Sequence, residues 1–188
     1  DSITASVPSY TAVATSDASA RVGVGEWSIE SGIWVATMAG LERLDPTTGK
    51  RQTVVPMETQ VMGNASRQSL LATRDGVAWW GGPSGLYRLD GSLPERIGPE
   101  EPVTALFQDV GGQLWLGRRD GLFRLHSNGR ELVRAWPAQP MPDDDPPVVR
   151  AIVQAPDRQL WFSVYGYGLR RLDPVTGHVD EVREEPGI

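Results

Sequence analysis

The phrase Gln113-Leu-Trp-Leu-Gly-Arg-Arg-Asp-Gly-Leu-Phe-Arg-Leu-His126 occurs in this chain in four related copies. The other copies are Gly32-Ile-Trp-Val-Ala-Thr-Met-Ala-Gly-Leu-Glu-Arg-Leu-Asp45, Gly76-Val-Ala-Trp-Trp-Gly-Gly-Pro-Ser-Gly-Leu-Tyr-Arg-Leu-Asp90 and Gln159-Leu-Trp-Phe-Ser-Val-Tyr-Gly-Tyr-Gly-Leu-Arg-Arg-Leu-Asp173. Their tryptophans, which follow one another at intervals of 45, 36 and 46 residues, are Trp34, Trp79, Trp115 and Trp161. Self-similarity at such a period is the signature of a repeat protein. We therefore interpret the chain as an array of similar units.

Each copy of the phrase predicts a β-hairpin. Apolar residues cluster around the Trp, a Gly-containing break follows, and Gly-Leu-x-Arg-Leu then alternates polar and apolar residues as a half-buried strand does. From the Trp to the Gly of Gly-Leu the distance is six residues in the first three copies, as from Trp115 to Gly121, and seven in the fourth, from Trp161 to Gly168. The fourth hairpin loop should therefore be one residue longer.

Two further strands complete each unit. The turn sequences Asp45-Pro-Thr-Thr-Gly49 and Asp173-Pro-Val-Thr-Gly177 suit tight turns, because Asp accepts amide hydrogen bonds and Gly tolerates a positive φ. They lead to outer strands at Arg51 to Val55 and His178 to Val182. Strands that precede the phrases are expected at Val22 to Ile29, Ser69 to Thr73, Val103 to Asp109 and Val148 to Gln154.

Four strands at this period predict an all-β protein, a β-propeller of about four four-stranded antiparallel blades. We expect residues 1–20 to form an N-terminal segment and residues 21–188 to hold the propeller repeats. The blades fall roughly at 21–60, 61–100, 101–140 and 141–188. An open set of blades exposes the flanks of its first and last members, so we expect either a four-bladed ring or, preferably, a fragment of a larger propeller. Exposed flanks would also favour self-association through open blade edges.

The string from Leu160 to Gly177, and that from Leu114 to Leu125, resemble the two-component-regulator propeller repeat. The resemblance extends over roughly Val22 to Arg183. It implies a periplasmic sensor region of a bacterial hybrid histidine kinase or diguanylate cyclase, with the output domain and any membrane segment outside this chain. It also implies that the fold belongs to a larger propeller.

The amino-acid composition limits the classes of molecule that this chain can bind. The chain has 24 acidic and 18 basic residues and a net charge of −6, which argues against a nucleic-acid partner. All basic residues except Lys50 are arginines. Arg43, Arg88, Arg124 and Arg171 occupy the repeated Arg-Leu slots of the strands, where exposure to solvent explains them. No apolar run approaches the roughly 18 residues of a membrane-spanning helix, and the chain has no cysteine.

Residues that carry chemistry are few, so we expect no enzyme activity, no metal and no cofactor. The repeat alignment places His126 in a turn slot that is elsewhere Asp, and His178 in a slot that is elsewhere Lys50. Neither can be combined with Cys or a second His into a zinc site or a nucleophile pair. Asp143-Asp144-Asp145 lacks the spacing of a calcium loop.

A binding surface is predicted instead, on the loops that link second to third strands. In a propeller these loops gather at one mouth of the channel, and loops on a rigid scaffold commonly carry function. Adjacent arginines can grip a carboxylate or phosphate, and tyrosines beside glycines can stack on sugar or aromatic rings. The candidate ligand-binding residues are Arg118, Arg119, Asp120, Arg150, Tyr165 and Tyr167. The alternatives are a surface pair between Arg119 and Asp120 and a purely structural Tyr-Gly-Tyr turn.

The sequence thus favours a sensory module that binds a small anionic or carbohydrate-like ligand. Two other functions stay open. One is a propeller enzyme of the streptogramin-lyase or lactonase type, which would need metal or histidine chemistry at the channel mouth. The other is a structural scaffold for protein interactions, since fold alone does not separate these classes.

Overall fold

The computed structural model describes residues 12–15, 33–37, 39–45, 47–56, 68–75, 77–89, 93–139 and 146–182. These residues form four antiparallel four-stranded sheets. The first contains β1 (Ala12–Thr15), β2 (Ile33–Thr37), β3 (Gly40–Leu44) and β4 (Arg51–Pro56). The second contains β5 (Ser69–Ala72), β6 (Ala78–Gly82), β7 (Gly85–Leu89) and β8 (Glu95–Ile97). The third contains β9 (Val103–Gln108), β10 (Leu114–Arg118), β11 (Gly121–Leu125) and β12 (Leu132–Trp136). The fourth contains β13 (Val149–Gln154), β14 (Leu160–Val164), β15 (Gly168–Leu172) and β16 (Val179–Val182).

Within each sheet the strands lie in chain order, each hydrogen-bonded to the next. The sheets also follow one another in chain order, because the first strand of each contacts the first strand of the following sheet. First strands therefore lie on the inner side of an arc of sheets. This is a β-propeller arrangement that does not close into a ring in the described part of the chain.

The four tryptophans occupy equivalent positions, as the repeat predicts. Each lies on the second strand of its sheet and pairs across the ladder with the Arg of Gly-Leu-x-Arg-Leu. The pairs are Trp34 with Arg43, Trp79 with Arg88, Trp115 with Arg124 and Trp161 with Arg171. The fourth hairpin loop holds residues 165–167, whereas the third holds only 119 and 120, which confirms the predicted extra residue.

The core lies between the sheets, because both faces of each inner sheet are apolar. The Trp and the Leu of Gly-Leu point toward the following sheet, and the residue after the Trp points toward the preceding one. Between the first and second sheets, Trp34 and Leu41 share a cluster with Trp80. Between the second and third, Trp79 and Leu86 share one with Leu116, and between the third and fourth, Trp115 and Leu122 share one with Phe162. Burying such side chains contributes about 1.5 to 3 kcal/mol each.

Small residues two positions after the Trp let the inner strands approach one another. A Cβ on Gly81 would lie 2.5 Å from Cγ1 of Val103, on the first strand of the third sheet. A Cβ on Gly117 would lie 3.0 Å from both Cγ1 and the carbonyl oxygen of Val149, on the first strand of the fourth. At these two positions the next sheet therefore leaves no room for a larger side chain.

Glutamine side chains at the ends of two first strands tie neighbouring sheets together. Gln108, the last residue of β9, accepts a hydrogen bond of 2.9 Å from the backbone N–H of Arg74, in the second sheet. Gln154, the last residue of β13, accepts one of 2.8 Å from the backbone N–H of Val110, in the third. The repeated geometry fixes how the second, third and fourth sheets follow one another at this end.

The predicted aspartate turns form. The Asp45 carboxylate accepts hydrogen bonds from the N–H groups of Thr47 and Thr48, and Gly49 has a φ of +68°. The Asp173 turn is built in the same way, with Gly177 at +74°. The backbone N–H of Val175 is the main reason that the pKa of Asp173 lies below its ordinary value. Both turns stabilise the hairpin to the outer strand.

The first sheet differs from the sequence expectation. Its first strand is β1, at Ala12–Thr15, within the segment that the sequence assigns to an N-terminal extension. The predicted strand at Val22 to Ile29 lies outside the described residues. The sequence missed this strand because the segment around β1 has no glycine-containing turn and no alternation of polar and apolar residues. Only its pairing with β2, in which Ala14 lies opposite Trp34, identifies it as a strand. The other sheets lie within the predicted units 61–100, 101–140 and 141–188.

Two substitutions test how much the apolar interfaces between sheets contribute to stability. Leu122→Ala is expected to destabilise the chain by about 2 to 5 kcal/mol, because Leu122 is fully buried between the third and fourth sheets and its loss leaves a cavity. Leu169→Ala changes the corresponding residue of the fourth sheet, which is 37% exposed, and should cost clearly less. Urea unfolding of both variants measures the difference, and equal losses would contradict this packing.

Candidate functional site

The predicted binding residues lie at one end of the sheets, which we call the mouth end. Here each first strand begins and each second strand turns into the third. In the third sheet, Arg118 pairs with Val103 at the start of β9, and in the fourth, Val164 pairs with Val149 at the start of β13. The hydroxyl of Thr104 donates to the carbonyl of Val149 across the two sheets. Loops 119–120 and 165–167 therefore share the mouth end on neighbouring sheets.

Arg118 is a buried interface residue and not an open ligand contact. It ends β10, and its side chain points toward the second sheet, as those of Leu114 and Leu116 do; only 7% of it is exposed. Its guanidinium forms ion pairs with Asp120 and Glu101 and lies 4.4 Å from the ring centre of Phe123. Burial lowers the pKa of Arg118, an effect that the charge of Asp120 opposes.

Asp120 also serves this interior network. Its carboxylate accepts a hydrogen bond of 2.6 Å from Arg134, a residue of β12, and one of 3.1 Å from Nε of Arg118. Arg134 lies on the Phe123 ring, 4.6 Å from its centre. Two arginines thus share one carboxylate and one aromatic ring. The Asp120 carboxylate thus pairs with Arg118 and Arg134, and not with Arg119 as the alternative interpretation of the sequence had it.

Sequence reasoning treated Arg118 and Arg119 as one anion grip, and the structure separates them. Consecutive side chains at the end of a strand point to opposite sides, so Arg118 is buried while Arg119, in the loop, is exposed. The role of Arg134 was missed because it is 14 residues from Asp120 and has no local motif. Its place beside Asp120 follows only from the pairing of β11 with β12.

Arg150 and Tyr165 form the second part of the mouth end. The guanidinium of Arg150, on β13, lies 4.9 Å from the centre of the Tyr165 ring. The backbone N–H of Tyr165 donates to the carbonyl of Val148 at 2.9 Å, which holds the loop against the first strand. Tyr165 is nevertheless 63% exposed. The ring is thus exposed, while Nε and Nη1 of the guanidinium beneath it are shielded from solvent; such a contact is worth about 0.5 to 2 kcal/mol.

Tyr167 is half-buried and packs against the core between the third and fourth sheets. Its carbonyl oxygen accepts a hydrogen bond of 2.7 Å from Arg170. The loop between Tyr165 and Tyr167 turns at Gly166, whose φ is +78°. Tyr167 therefore anchors this loop, and Tyr165 is its exposed ring.

The histidines lie at the opposite end of the sheets, in the turns between third and fourth strands. His126 accepts a hydrogen bond at Nδ1 from the backbone N–H of Asn128. Nε2 of His178 lies 2.9 Å from the Asp180 carboxylate. Both are exposed. Within the described residues, no group of three or more His, Asp or Glu side chains is placed to hold a metal ion.

A polar cleft of about 380 Å³ lies between the second and third sheets at this opposite end. Its lining includes Asp75, Arg88, Gln113 and His126, and the Gly111-Gly112 turn forms part of its rim. Sequence reasoning did not find it, because its residues come from three separate turns and strands. Charges of both signs line the cleft, so its lining favours no single class of ligand.

No protein family model matches this chain, and no curated protein matches it. Solved structures do match. The extracellular domain of the hybrid two-component system BT3049 from B. thetaiotaomicron is 22% identical with a TM-score of 0.56, over 85% of this chain and 21% of that one. That of BT4673 from the same organism is 15% identical with a TM-score of 0.61, over 85% and 22%.

A third match is a catalytically inactive virginiamycin B lyase from Staphylococcus aureus, solved with quinupristin. It is 20% identical with a TM-score of 0.52, over 80% of this chain and 51% of that one. This chain spans about a fifth of the length of the two extracellular domains. At these identities the likeness establishes the fold, a β-propeller. No described helix is long and apolar enough to cross a membrane.

Two neighbouring arginines provide a test of the site. Arg118→Ala is expected to destabilise the chain by at least about 2 kcal/mol, because it removes a buried cation from its carboxylates and from the Phe123 ring. Arg119→Ala should change stability by less than about 0.5 kcal/mol, because that side chain is exposed. Chemical denaturation of both variants measures this. Equal effects would mean that the interior network does not hold the third sheet.

Proposed function

We propose that this chain is part of the extracytoplasmic sensor region of a bacterial two-component protein and that it binds a small ligand at the mouth end. Two independent observations support the class. The fourfold phrase resembles the two-component-regulator propeller repeat, and the fold is similar to the extracellular domains of BT3049 and BT4673. A periplasmic location and an output domain outside this chain, either a histidine kinase or a diguanylate cyclase, belong to the same proposal.

The observation that carries the ligand site is the exposed Tyr165 ring with Arg150 on one face. Arg119 lies exposed on the neighbouring loop of the same end. Neither Tyr165 nor Arg119 belongs to the buried core, so both side chains are accessible to a ligand. Asp120 and Arg118 shape the loop from beneath, and Tyr167 anchors the other loop.

This combination suits a ligand with a carboxylate and a sugar-like face. Guanidinium groups bind carboxylates through paired hydrogen bonds, and aromatic rings pack on the apolar faces of sugars. An acidic sugar satisfies both groups at once. A neutral sugar uses only the Tyr165 ring, and a simple dicarboxylate uses only the exposed Arg119. Glucuronate, glucose and succinate are therefore informative probes of the surface.

Binding is tested by calorimetric titration of the full chain with these three compounds. We expect glucuronate to bind best and Arg119→Ala and Tyr165→Ala each to weaken it about tenfold or more, which is about 1.4 kcal/mol. Arg119→Ala should retain the melting temperature of the unmodified chain. Tyr165→Ala should lower it slightly, because it removes the contact with Arg150, which is worth about 0.5 to 2 kcal/mol. Arg130→Ala, an exposed arginine at the opposite end, is the matched control and should bind normally. Unchanged binding in both mouth-end variants, or no binding of any probe, would contradict the site.

A propeller lyase is the alternative function, which the likeness to the virginiamycin B lyase favours. The histidines argue against it, because His126 and His178 lie in exposed turns at the end opposite the mouth. His126 lines the polar cleft at that end and Nε2 of His178 lies 2.9 Å from the Asp180 carboxylate, but neither histidine reaches the mouth end. No group of three or more His, Asp or Glu side chains among the described residues is placed to hold a metal ion.

Chromatography can decide between the two. Incubation of the chain with quinupristin should leave that compound intact. Breakdown of quinupristin that disappears in His126→Ala or His178→Ala would establish the lyase function instead. A boiled sample of the chain is the control for spontaneous hydrolysis.

A further inference from the structure

The tryptophan of the third sheet shows which group binds the indole N–H in this repeat. Nε1 of Trp115 donates a hydrogen bond of 2.8 Å to the carboxylate of Asp109, a residue six positions earlier. The other oxygen of that carboxylate accepts a hydrogen bond of 3.0 Å from the backbone N–H of Gln113. Trp115 and Asp109 are both buried, and a buried indole N–H, which can only donate, requires an acceptor. In this sheet the acceptor is a carboxylate of the chain itself.

The second and fourth sheets form the same turn without this carboxylate. The backbone N–H of Asp109 donates to the carbonyl of the residue four positions on, and the N–H groups of Thr73 and Ala155 do the same at 2.9 Å. Thr73 and Ala155 therefore stand where Asp109 stands in the third sheet. In the fourth sheet, Nε1 of Trp161 is accordingly buried with no partner among the described residues.

Thr73 does not replace the missing carboxylate beside Trp79. Its hydroxyl lies 2.6 Å from both the Asp75 carboxylate and the carbonyl oxygen of Val77, so its proton is directed to these acceptors. Trp79 itself is only 6% exposed and lines the polar cleft between the second and third sheets. This buried tryptophan therefore faces the cleft without a carboxylate in the position that Asp109 has in the third sheet.

The two charges of the cleft have different places relative to Trp79. Arg88 pairs with Trp79 across the ladder and also lines the cleft, so positive charge adjoins the place of the missing carboxylate. Asp75 lines the cleft from an exposed turn and supplies negative charge at its edge. A simple anion would be attracted by one of these groups and repelled by the other, whereas a zwitterion is attracted by both. The arrangement of the charges, which their signs alone do not reveal, thus selects a ligand that carries both.

Apolar side chains complete the lining. Val77, Leu114 and Leu125 belong to the wall of the cleft, together with the ring of Trp79. The cleft volume of about 380 Å³ falls within the range of roughly 300 to 1,000 Å³ that is usual for sites of small ligands. The cleft therefore has room for an apolar group in addition to an ammonium and a carboxylate.

We propose that this cleft is a binding site for an α-amino acid with an apolar side chain. The ligand carboxylate takes the place that Asp109 has in the third sheet and accepts a hydrogen bond from Nε1 of Trp79, with Arg88 beside it. The ligand ammonium meets the Asp75 carboxylate, and the ligand side chain lies against the apolar part of the wall. This site is separate from the proposed ligand site at the mouth end and does not depend on it.

Calorimetric titration of the full chain with L-leucine and two analogues tests the proposal. Isocaproate lacks the ammonium group of leucine, and isoamylamine lacks its carboxylate. We expect leucine to bind and each analogue to bind at least about tenfold more weakly, because each loses a charge-assisted hydrogen bond. No binding of leucine, or equal binding of leucine and either analogue, would overturn the proposal.

Substitutions locate the site. Trp79→Phe removes the indole N–H but keeps an aromatic ring, and it should weaken leucine binding about tenfold or more. Trp161→Phe is the matched control, because it makes the same change at a tryptophan outside the lining of the cleft, and it should bind leucine normally. Asp75→Asn, at an exposed residue, should reduce the affinity for leucine to that for isocaproate. Tyr165→Ala should leave leucine binding unchanged, which separates this cleft from the mouth end.

The indole N–H signals in an NMR spectrum give a direct readout. The signal that Trp79→Phe removes should shift when leucine is added to the unmodified chain, whereas the signal of Trp115, which Asp109 already binds, should not. Circular dichroism checks the fold of each variant, and Asp75→Asn decides the result if Trp79→Phe loses its sheet structure. Leucine binding that leaves the Trp79 signal in place, or that is unchanged in Trp79→Phe or Asp75→Asn, would overturn the proposal.

Discussion

The rest of the structure depends on one constraint, that a sheet of this repeat is apolar on both faces. The Trp and the Leu of Gly-Leu make one face apolar, and the residues on either side of the Trp make the other. A soluble sheet commonly exposes one face to water, and these inner sheets cannot do so without exposing large side chains. Each sheet therefore needs a neighbour before it and another after it, and this requirement arranges the strands radially.

The local parts of this arrangement could be read from the sequence. The Trp register, the two aspartate turns and the longer fourth loop all follow from residues close together in the chain. Their physical causes, alternation of apolar residues, amide capping and a positive φ at Gly, act over a few residues. For that reason repeated phrases predict them well.

The parts that the sequence did not reveal depend on contacts between distant residues. Arg118 and Arg119 are chemically identical neighbours. Arg118 is buried only because it is the last residue of β10 and its side chain points toward the second sheet, whereas Arg119 lies in the loop and is exposed. Asp120 acquires its partner Arg134 through a strand pairing. The first strand at Ala12–Thr15 takes its place from the vacant edge of β2, which a weak sequence pattern does not indicate.

The two ends of the sheets are held in different ways. At one end, Gln108 and Gln154 fasten each sheet to the loop of the sheet before it. At the mouth end, the buried network around Asp120 and the backbone contact of Tyr165 hold the loops from their inner side. The outward side chains of Arg119 and Tyr165 thus stay outside the buried core. Such a division permits the mouth-end residues to change while the arc is preserved.

The glycines that follow the tryptophans have a geometric consequence. At Gly81 and Gly117 the next first strand lies almost against the backbone, whereas one turn of the pleat away the gap must hold an indole ring. Each glycine and its tryptophan lie two residues apart on the same strand, so the spacing between neighbouring sheets changes along that strand. A Cβ at Gly81 would force the first strand of the next sheet to move away. The small residue at this position, which is Ala at 36 and Ser at 163, therefore helps to set how closely consecutive sheets pack.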